Sequence, residues 1–147
     1  MNPLDKRILK FIKKHHVLNL STYADGEIST CSCFYAFDVE NMQLVITSDI
    51  KTKHIQQALT NPNVSGTIVL ETKIVGNIQG VQFWGKLLKL DDIQNLNTRK
   101  VYFKKFPFAV LMKTTLWAIS LTHIKFTDNR LGFGKKIFWK FMHNKSI

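Results

Sequence analysis

The dipeptide Asp25-Gly26 separates two segments in which apolar and polar residues alternate, residues 17–23 and residues 28–37. Alternation with a period of two is typical of a β-strand with one buried face, and Asp-Gly is a strong signal for a two-residue hairpin turn. The pattern therefore predicts an antiparallel hairpin early in the chain. Strand character returns in four further segments, residues 43–48, 64–70, 78–90 and 115–124.

Three other segments are predicted to be helices. Residues 3–14 place apolar side chains on one face after Asn2-Pro3, and residues 50–59 predict a short helix that ends near Asn61-Pro62. A third helix is predicted from Asp91-Asp92, whose carboxylates suit a helix N-terminus, to about residue 105, before Pro107. Residues 137–141 predict a last extended piece.

Six antiparallel strands with short helices between them indicate a mainly β fold. Gly80 and Gly85 lie in the long fifth strand and predict bends or bulges there. Together these features predict a small closed or half-closed barrel with helices at its mouths. A length of 147 residues, 45% of them hydrophobic, is enough for one domain with a sizeable core.

The chain has no apolar run near the roughly 20 residues that span a bilayer. Its first residues, "MNPLDKRILKFIKKHH", lack the apolar stretch of a signal peptide. We therefore expect a cytoplasmic protein without membrane association.

The charge balance of 21 basic and 10 acidic side chains gives a net charge of +11. Such an excess favours an anionic partner, which includes nucleic acid, a lipid surface and a phosphorylated ligand. Only Arg7, Arg99 and Arg130 are arginines, and the lysines are spread along the chain. Because nucleic-acid readers favour arginine forks, we disfavour a nucleic-acid partner. General surface charge stays an alternative explanation for the lysines.

Cys31 and Cys33 would point to the same face of their strand. Extended i,i+2 geometry suits a disulfide poorly, and a single Cys-x-Cys without a second pair does not match a zinc motif. We interpret the cysteines as two small buried residues and predict no metal site.

The glycine-rich segment "GFGKK" at residues 132–136 is not a nucleotide-binding P-loop. Lys136 stands where that motif needs serine or threonine, and the preceding glycine is missing at the required distance. The sequence also lacks a nucleophile elbow. We therefore assign no catalytic residue.

Three segments in sequence order, "QLVITS", "DIKTKHIQQALTNPNV" and "IQGVQFWGKLLKL", resemble the pyridoxamine 5′-phosphate oxidase-like family of FMN-binding split barrels. In that family a strand ending in Thr or Ser leads to a basic helix start, an Asn-Pro turn and a long glycine-containing strand. The resemblance covers about residues 4–130. It is closer still to the YhbP-like bacterial branch, through "KTKH" at residues 51–54, "GVQFWG" at residues 80–85 and "IKFTDNRLGFGKK" at residues 124–136.

This resemblance implies a single six-stranded antiparallel split-barrel domain over residues 1–147 with flanking helices. It also implies a homodimer that binds FMN at its interface, with an oxidoreductase role on an unknown substrate. The implied cofactor-binding residues are Thr47, Ser48, Lys51, Thr52, Lys53, Gln79, Gly80 and Lys135. Lys51 and Lys53 stand at a predicted helix start, where free N–H groups favour a phosphate.

Two departures from the family keep other ligands open. Thr30 and Tyr35 stand where the vitamin-B6 oxidases have basic residues that contact the flavin, so the B6-oxidase reaction is not supported. The alternatives are a non-enzymatic protein that binds another anionic ligand, such as haem, a deazaflavin or nucleic acid, and a barrel that binds no ligand.

Two expectations concern assembly and the tail. Val81, Phe83 and Leu87 share one face of the fifth strand, which a barrel of this size leaves hard to cover within one chain, so we predict a two-fold dimer packed through barrel strands. In "FTDNRLGFGKKIFW", Gly132 and Gly134 permit a turn after which Phe133, Ile137 and Trp139 pack on the barrel. Lys135 and Lys136 would then face the anionic ligand; a tail that only packs is the alternative.

Overall fold

A computed structural model describes residues 2–142. The helices in this part are α1 (Lys6–Lys14), α2 (Lys53–Thr60) and α3 (Leu96–Lys105). The strands are β1 (Val17–Ala24), β2 (Glu27–Asp38), β3 (Gln43–Thr47), β4 (Asn63–Val69), β5 (Gln79–Lys89), β6 (Leu116–Asp128) and β7 (Lys136–Lys140).

Six of the strands close into an antiparallel barrel. The pairing order is β3-β2-β1-β4-β5-β6, and β3 pairs with β6 to complete the ring. One edge of β6 pairs with β5. Its other edge is divided, because residues 116–120 pair with β3 and residues 123–127 pair with β7 outside the ring. This confirms the predicted six-stranded split barrel and places the predicted last extended piece as a seventh strand.

The first hairpin forms where Asp25-Gly26 predicted it. Both turn residues have positive φ, 53° for Asp25 and 80° for Gly26, and the flanking pair is Ala24 with Glu27. Two consecutive residues with positive φ match the right-handed twist of the strands on either side. The turn therefore sets the register in which β1 and β2 face each other.

A glycine allows a close backbone approach in the wall of the barrel. The register of β5 against β6 shifts between Trp84 and Gly85, and a Cβ at Gly85 would lie 2.5 Å from the Ser120 carbonyl oxygen. The predicted bulge at Gly85 is thus confirmed. Gly80 pairs in regular register with Val69 and Thr127, so the bulge expected there is absent.

The barrel interior is covered within one chain. Val81, Phe83 and Leu87 are 1%, 1% and 7% exposed, and α1 closes one end of the same core. The expectation that this face of β5 needs a second subunit was therefore wrong, since the ring of strands itself covers it. A second apolar cluster lies between α3 and the outer faces of β3 and β6.

The helices begin later than the sequence predicted, because acidic side chains cap the turns before them. Asp5 accepts the Arg7 N–H at 2.8 Å, so α1 begins at Lys6. Asp91 accepts the N–H groups of Ile93 and Gln94, both at 2.8 Å, and α3 follows only from Leu96. Within residues 2–142, no helix combines the length and apolar character that crossing a bilayer requires.

Candidate functional site

Residues 47–53, from the end of β3 to the start of α2, carry five of the predicted cofactor-binding residues and are tied to the barrel at Ser48. The Ser48 N–H donates to the Thr115 carbonyl at 3.2 Å, and the Ser48 carbonyl accepts from the Trp117 indole at 2.9 Å. Thr47 lies at the strand end, with its hydroxyl 3.5 Å from that of Tyr102. These contacts give the segment a defined position at the barrel mouth.

A tight turn then presents the N-terminus of α2. The Asp49 side chain accepts the Lys51 N–H at 2.8 Å, and the Asp49 carbonyl accepts both the N–H and the hydroxyl of Thr52. Thr52 precedes the helix in an extended conformation and makes no side-chain cap. The first-turn N–H groups of α2 have no intrahelical acceptor, so this helix start favours an anion.

The two lysines of this segment have different partners. Lys53 forms an ion pair with Glu27 at the start of β2, and both side chains are 59% exposed. Lys51 is exposed and forms no ion pair within residues 2–142. Lys51 is therefore the cation more available to a ligand, whereas Lys53 would have to leave or share Glu27.

Beside this segment, two thiols and an imidazole meet. The sulfur atoms of Cys31 and Cys33 lie 3.7 Å apart, and a ring nitrogen of His54 lies within 4.8 Å of both. The Ser48 hydroxyl is 2.6 Å from His54 Nε2. The sequence interpretation missed His54. The pairing of β2 with β3 is the signal that could have found it. Tyr35 pairs with Ile46, so two residues further along Cys33 lies opposite Ser48, where the chain turns toward α2.

The protonation of this group follows from its contacts. The hydrogen bond with Cys33 lowers the pKa of the Cys31 thiol. The same contact, together with burial, raises the pKa of Cys33. Burial lowers the pKa of His54, which favours the neutral imidazole. A neutral imidazole beside two thiols is a set of soft ligand atoms.

The other three predicted residues lie at the opposite end of β6. Gln79 pairs with Asp128, Gly80 lies next along β5, and the Lys135 carbonyl accepts the Asp128 N–H at 3.0 Å. Thr47, by contrast, pairs with Leu116. Because β6 has 13 residues and a strand rises about 3.3 Å per residue, the two groups are roughly 40 Å apart along the strand. One chain thus does not bring the eight residues together.

A basic cleft of about 210 Å³ adjoins the Gln79 end. Asp128 binds Arg130 through both carboxylate oxygens, at 3.1 and 3.0 Å, and this hydrogen bonding lowers the pKa of Asp128. Lys10 and Lys14 of α1 also line the cleft and form no ion pairs among the described residues. This end therefore carries its own positive charge.

The tail turns as its glycines predicted, but one aromatic side chain points away. Gly132 and Gly134 have φ of 135° and 69°. Trp139 is 3% exposed and its indole donates to the Asn2 carbonyl at 3.0 Å, whereas Phe133 is 86% exposed. The prediction that Phe133 packs on the barrel was therefore wrong.

An apolar cleft of about 440 Å³ lies outside the ring, between β5, β6 and β7. Its lining is Trp84, His123, Ile124, Lys125, Phe138, Trp139 and Lys140. His123 is exposed and its Nδ1 lies 3.0 Å from the Thr122 hydroxyl. The cleft thus combines an imidazole, apolar walls and two basic side chains.

Comparison with curated proteins gives close relatives of similar length. The chain is 38% identical over 130 residues to the UPF0306 protein YhbP of Salmonella newport (strain SL254) and of Salmonella enteritidis PT4 (strain P125109). In each case the match covers 88% of this chain and 88% of the relative. No family model matches the chain.

Solved structures share the fold at low identity. A haem-binding protein from Mycobacterium smegmatis has a TM-score of 0.74 at 12% identity, over 94% of this chain and 59% of that one. An FAD-binding protein from Mesorhizobium loti has 0.67 at 17%, over 82% and 92%. The haem storage protein HutZ from Vibrio cholerae has 0.66 at 16%, over 80% and 89%. These likenesses concern the split-barrel fold.

Proposed function

Since the chain belongs to the UPF0306 family of YhbP proteins and folds as a split barrel, we propose that it binds FMN between two copies of itself. The Mesorhizobium loti neighbour, which is described as FAD-binding, supports a flavin as the class of ligand. A bound flavin would supply the redox chemistry, and the chain would position it. The corresponding activity is that of an oxidoreductase whose substrate is not assigned.

The observation that carries the proposal is the uncapped start of α2. A phosphate there would accept first-turn N–H groups and meet the ammonium of Lys51, with the hydroxyls of Thr47, Ser48 and Thr52 nearby. The residues present therefore fit the phosphate. They offer fewer contacts to the flavin ring, because Thr30 is exposed and the Tyr35 hydroxyl already donates to the Ile12 carbonyl at 2.5 Å.

The second copy is needed because the proposed ligand residues lie at both ends of β6. A two-fold arrangement can bring the Gln79 and Lys135 end of one copy to the α2 start of the other. Exposed apolar side chains support such an assembly: Phe108 is 83% and Leu111 is 85% exposed. Surfaces of this kind commonly mark protein interfaces.

Titration of the purified protein with FMN, followed by quenching of flavin fluorescence, tests the proposal. A charge-assisted contact contributes roughly 1.5–3 kcal/mol, so Lys51→Ala should weaken binding by about tenfold to over a hundredfold. Adding Lys53→Ala should have the smaller further effect, because Glu27 already engages Lys53. Lys100→Ala, at an exposed position of α3, is the matched control. Unchanged affinity in the double variant would remove α2 from the site.

Haem is a second candidate, favoured by the apolar cleft at His123. An imidazole can ligate iron, the apolar walls would suit the macrocycle, and Lys125 and Lys140 would offer cations to its propionates. The Mycobacterium smegmatis and Vibrio cholerae neighbours are described as haem-binding and haem storage proteins. If haem is the ligand, His123→Ala should abolish the Soret shift on haem addition while Lys51→Ala leaves it intact.

A further inference from the structure

We propose that Cys31, Cys33 and His54 form a binding site for a thiophilic divalent cation, of which Zn²⁺ is the representative. This site adjoins the proposed phosphate site at Ser48 and the start of α2, but the metal proposal does not depend on flavin binding. The site brings together β2 and the first turn of α2, which are 21 residues apart in sequence at Cys33 and His54. Within the described part of the chain, this is the group of His, Cys, Asp and Glu side chains whose ligand atoms converge.

The spacing of the thiols fits a tetrahedral metal. The Cys31 and Cys33 sulfur atoms lie 3.7 Å apart. Two thiolates bound to zinc at about 2.3 Å, with a tetrahedral angle between them, are about 3.7–3.8 Å apart. Residues i and i+2 of a strand point the same way with their Cα atoms about 6.6 Å apart. The two side chains lean together and bring the sulfur atoms to the shorter separation. The pair therefore needs no rearrangement to chelate.

His54 supplies the third ligand from a helix that is fixed against the hairpin. All three ligand atoms lie within 4.8 Å of one another, so closing to tetrahedral spacing takes a side-chain shift of about 1 Å. Gln57, on the same helix, accepts from the Thr22 hydroxyl at 2.6 Å and donates to the Glu27 carbonyl. These bonds hold α2 in place, and the Ser48 hydroxyl holds the imidazole.

Charge and burial also suit a divalent cation. All three ligands are half-buried, so the site is neither open surface nor sealed core. Binding releases the two thiol protons to solvent, and two thiolates with a 2+ cation leave no net charge to bury. Soft sulfur ligands favour Zn²⁺ over Mg²⁺ or Ca²⁺. Three protein ligands leave the fourth tetrahedral position for water or an added ligand.

The experiment uses the reduced, metal-free protein without flavin, titrated with Co²⁺ and then Zn²⁺. We expect saturation at one Co²⁺ per chain, with the visible ligand-field bands of a tetrahedral site and near-ultraviolet thiolate charge transfer. Zn²⁺ should displace the Co²⁺. Cys31→Ser, Cys33→Ser and His54→Gln should each lose the tetrahedral spectrum, whereas His16→Gln, at an exposed histidine, should keep it.

Several results would contradict the proposed metal site. An octahedral Co²⁺ spectrum, or a tetrahedral spectrum that survives in folded Cys31→Ser or His54→Gln, would overturn the site. Circular dichroism checks that each variant folds. The unmodified protein gives an independent answer, because bound Zn²⁺ should protect both thiols from alkylation. Equal alkylation rates with and without Zn²⁺ would leave Cys31 and Cys33 as two thiols that only hydrogen-bond to each other.

Discussion

The Lys105 side chain is half-buried, with its ammonium over the aromatic rings of Tyr35 and Phe106. Its ammonium donates to the His15 carbonyl at 2.7 Å and the Tyr35 carbonyl at 3.0 Å, and it lies 4.6 Å from the centre of the Tyr35 ring. Burial lowers the pKa of Lys105 to about 8 from an ordinary value of 10.5. The last turn of α3 is thereby linked to α1 and β2 through one titrating group.

The lowered pKa predicts a pH-dependent stability. Between pH 8 and 10.5 the unfolded chain binds the Lys105 proton and the folded chain releases it. The free energy of unfolding should therefore rise with pH across this window, relative to Lys105→Met. Urea unfolding at a series of pH values measures the difference. Lys100→Met, at an exposed lysine of the same helix, is the control, and a flat difference for Lys105→Met would contradict the prediction.

Gly66 provides a second prediction at this scale. A Cβ at Gly66 would lie 2.1 Å from the Asn19 carbonyl oxygen and 2.3 Å from Phe83 Cζ, both inside the barrel wall. Gly66→Ala should destabilise the fold by about 1–3 kcal/mol or more through overpacking. Gly76→Ala, where a Cβ meets nothing within 4 Å, should change little. Thermal unfolding of the two variants separates these effects, and similar melting temperatures would count against the close approach.

Residue-level sequence patterns predicted turns better than they predicted sites. Asp25-Gly26 specifies its turn through local φ preferences, so the hairpin followed from two letters. The Cys31–Cys33–His54 group depends on how α2 docks on β2, which no local pattern expresses. Likewise the family resemblance implied that Lys51 and Gln79 bind one cofactor. In the barrel, Lys51 lies near the Leu116 end of β6 and Gln79 pairs with Asp128 at its other end.

At the scale of elements, β7 stabilises the barrel from outside the ring. Its Trp139 is buried against the same core as Phe126, and the indole bonds to the Asn2 carbonyl. Trp139→Ala should therefore cost about 3–5 kcal/mol of unfolding free energy. Lys136→Ala, at an exposed position of the same strand, is the control. Chemical denaturation measures the stability of both variants, and equal unfolding midpoints would mean that Trp139 of β7 does not stabilise the barrel.

The sequence predicted the boundaries of helices and strands less accurately than their presence. Strand β6 was predicted to end at residue 124 but extends to Asp128, because pairing with β7 supports its second half. Helix α3 was predicted to start at Asp91, but that carboxylate caps a separate turn. The existence and type of each element followed from periodicity, charge and turn residues. Its ends were decided by local caps, as at Asp91, or by strand pairing, as in β6.

At the scale of the whole molecule, the two-fold dimer remains a prediction, but different residues now support it. The core face of β5 is covered within the chain, and the outward side chains now carry the case: Trp84, Phe108, Leu111 and Phe133 are all exposed. We expect a two-fold dimer at micromolar concentration, with an interface of roughly 2,000 Å². Light scattering at several concentrations measures the mass, and a persistent monomer would contradict the dimer and with it the joined flavin site.

The divided edge of β6 has a consequence for how the molecule opens. Along the edge of β6 that faces away from β5, residues 116–120 close the ring against β3, whereas residues 123–127 pair with β7. Detaching a five-residue outer strand costs less than breaking the ring, so the two halves of one strand belong to different cooperative units. Amide hydrogens on this divided edge of β6 should therefore exchange with solvent on two timescales, with the slow amides toward Leu116 reporting global unfolding and the faster ones toward Asp128 reporting release of the tail.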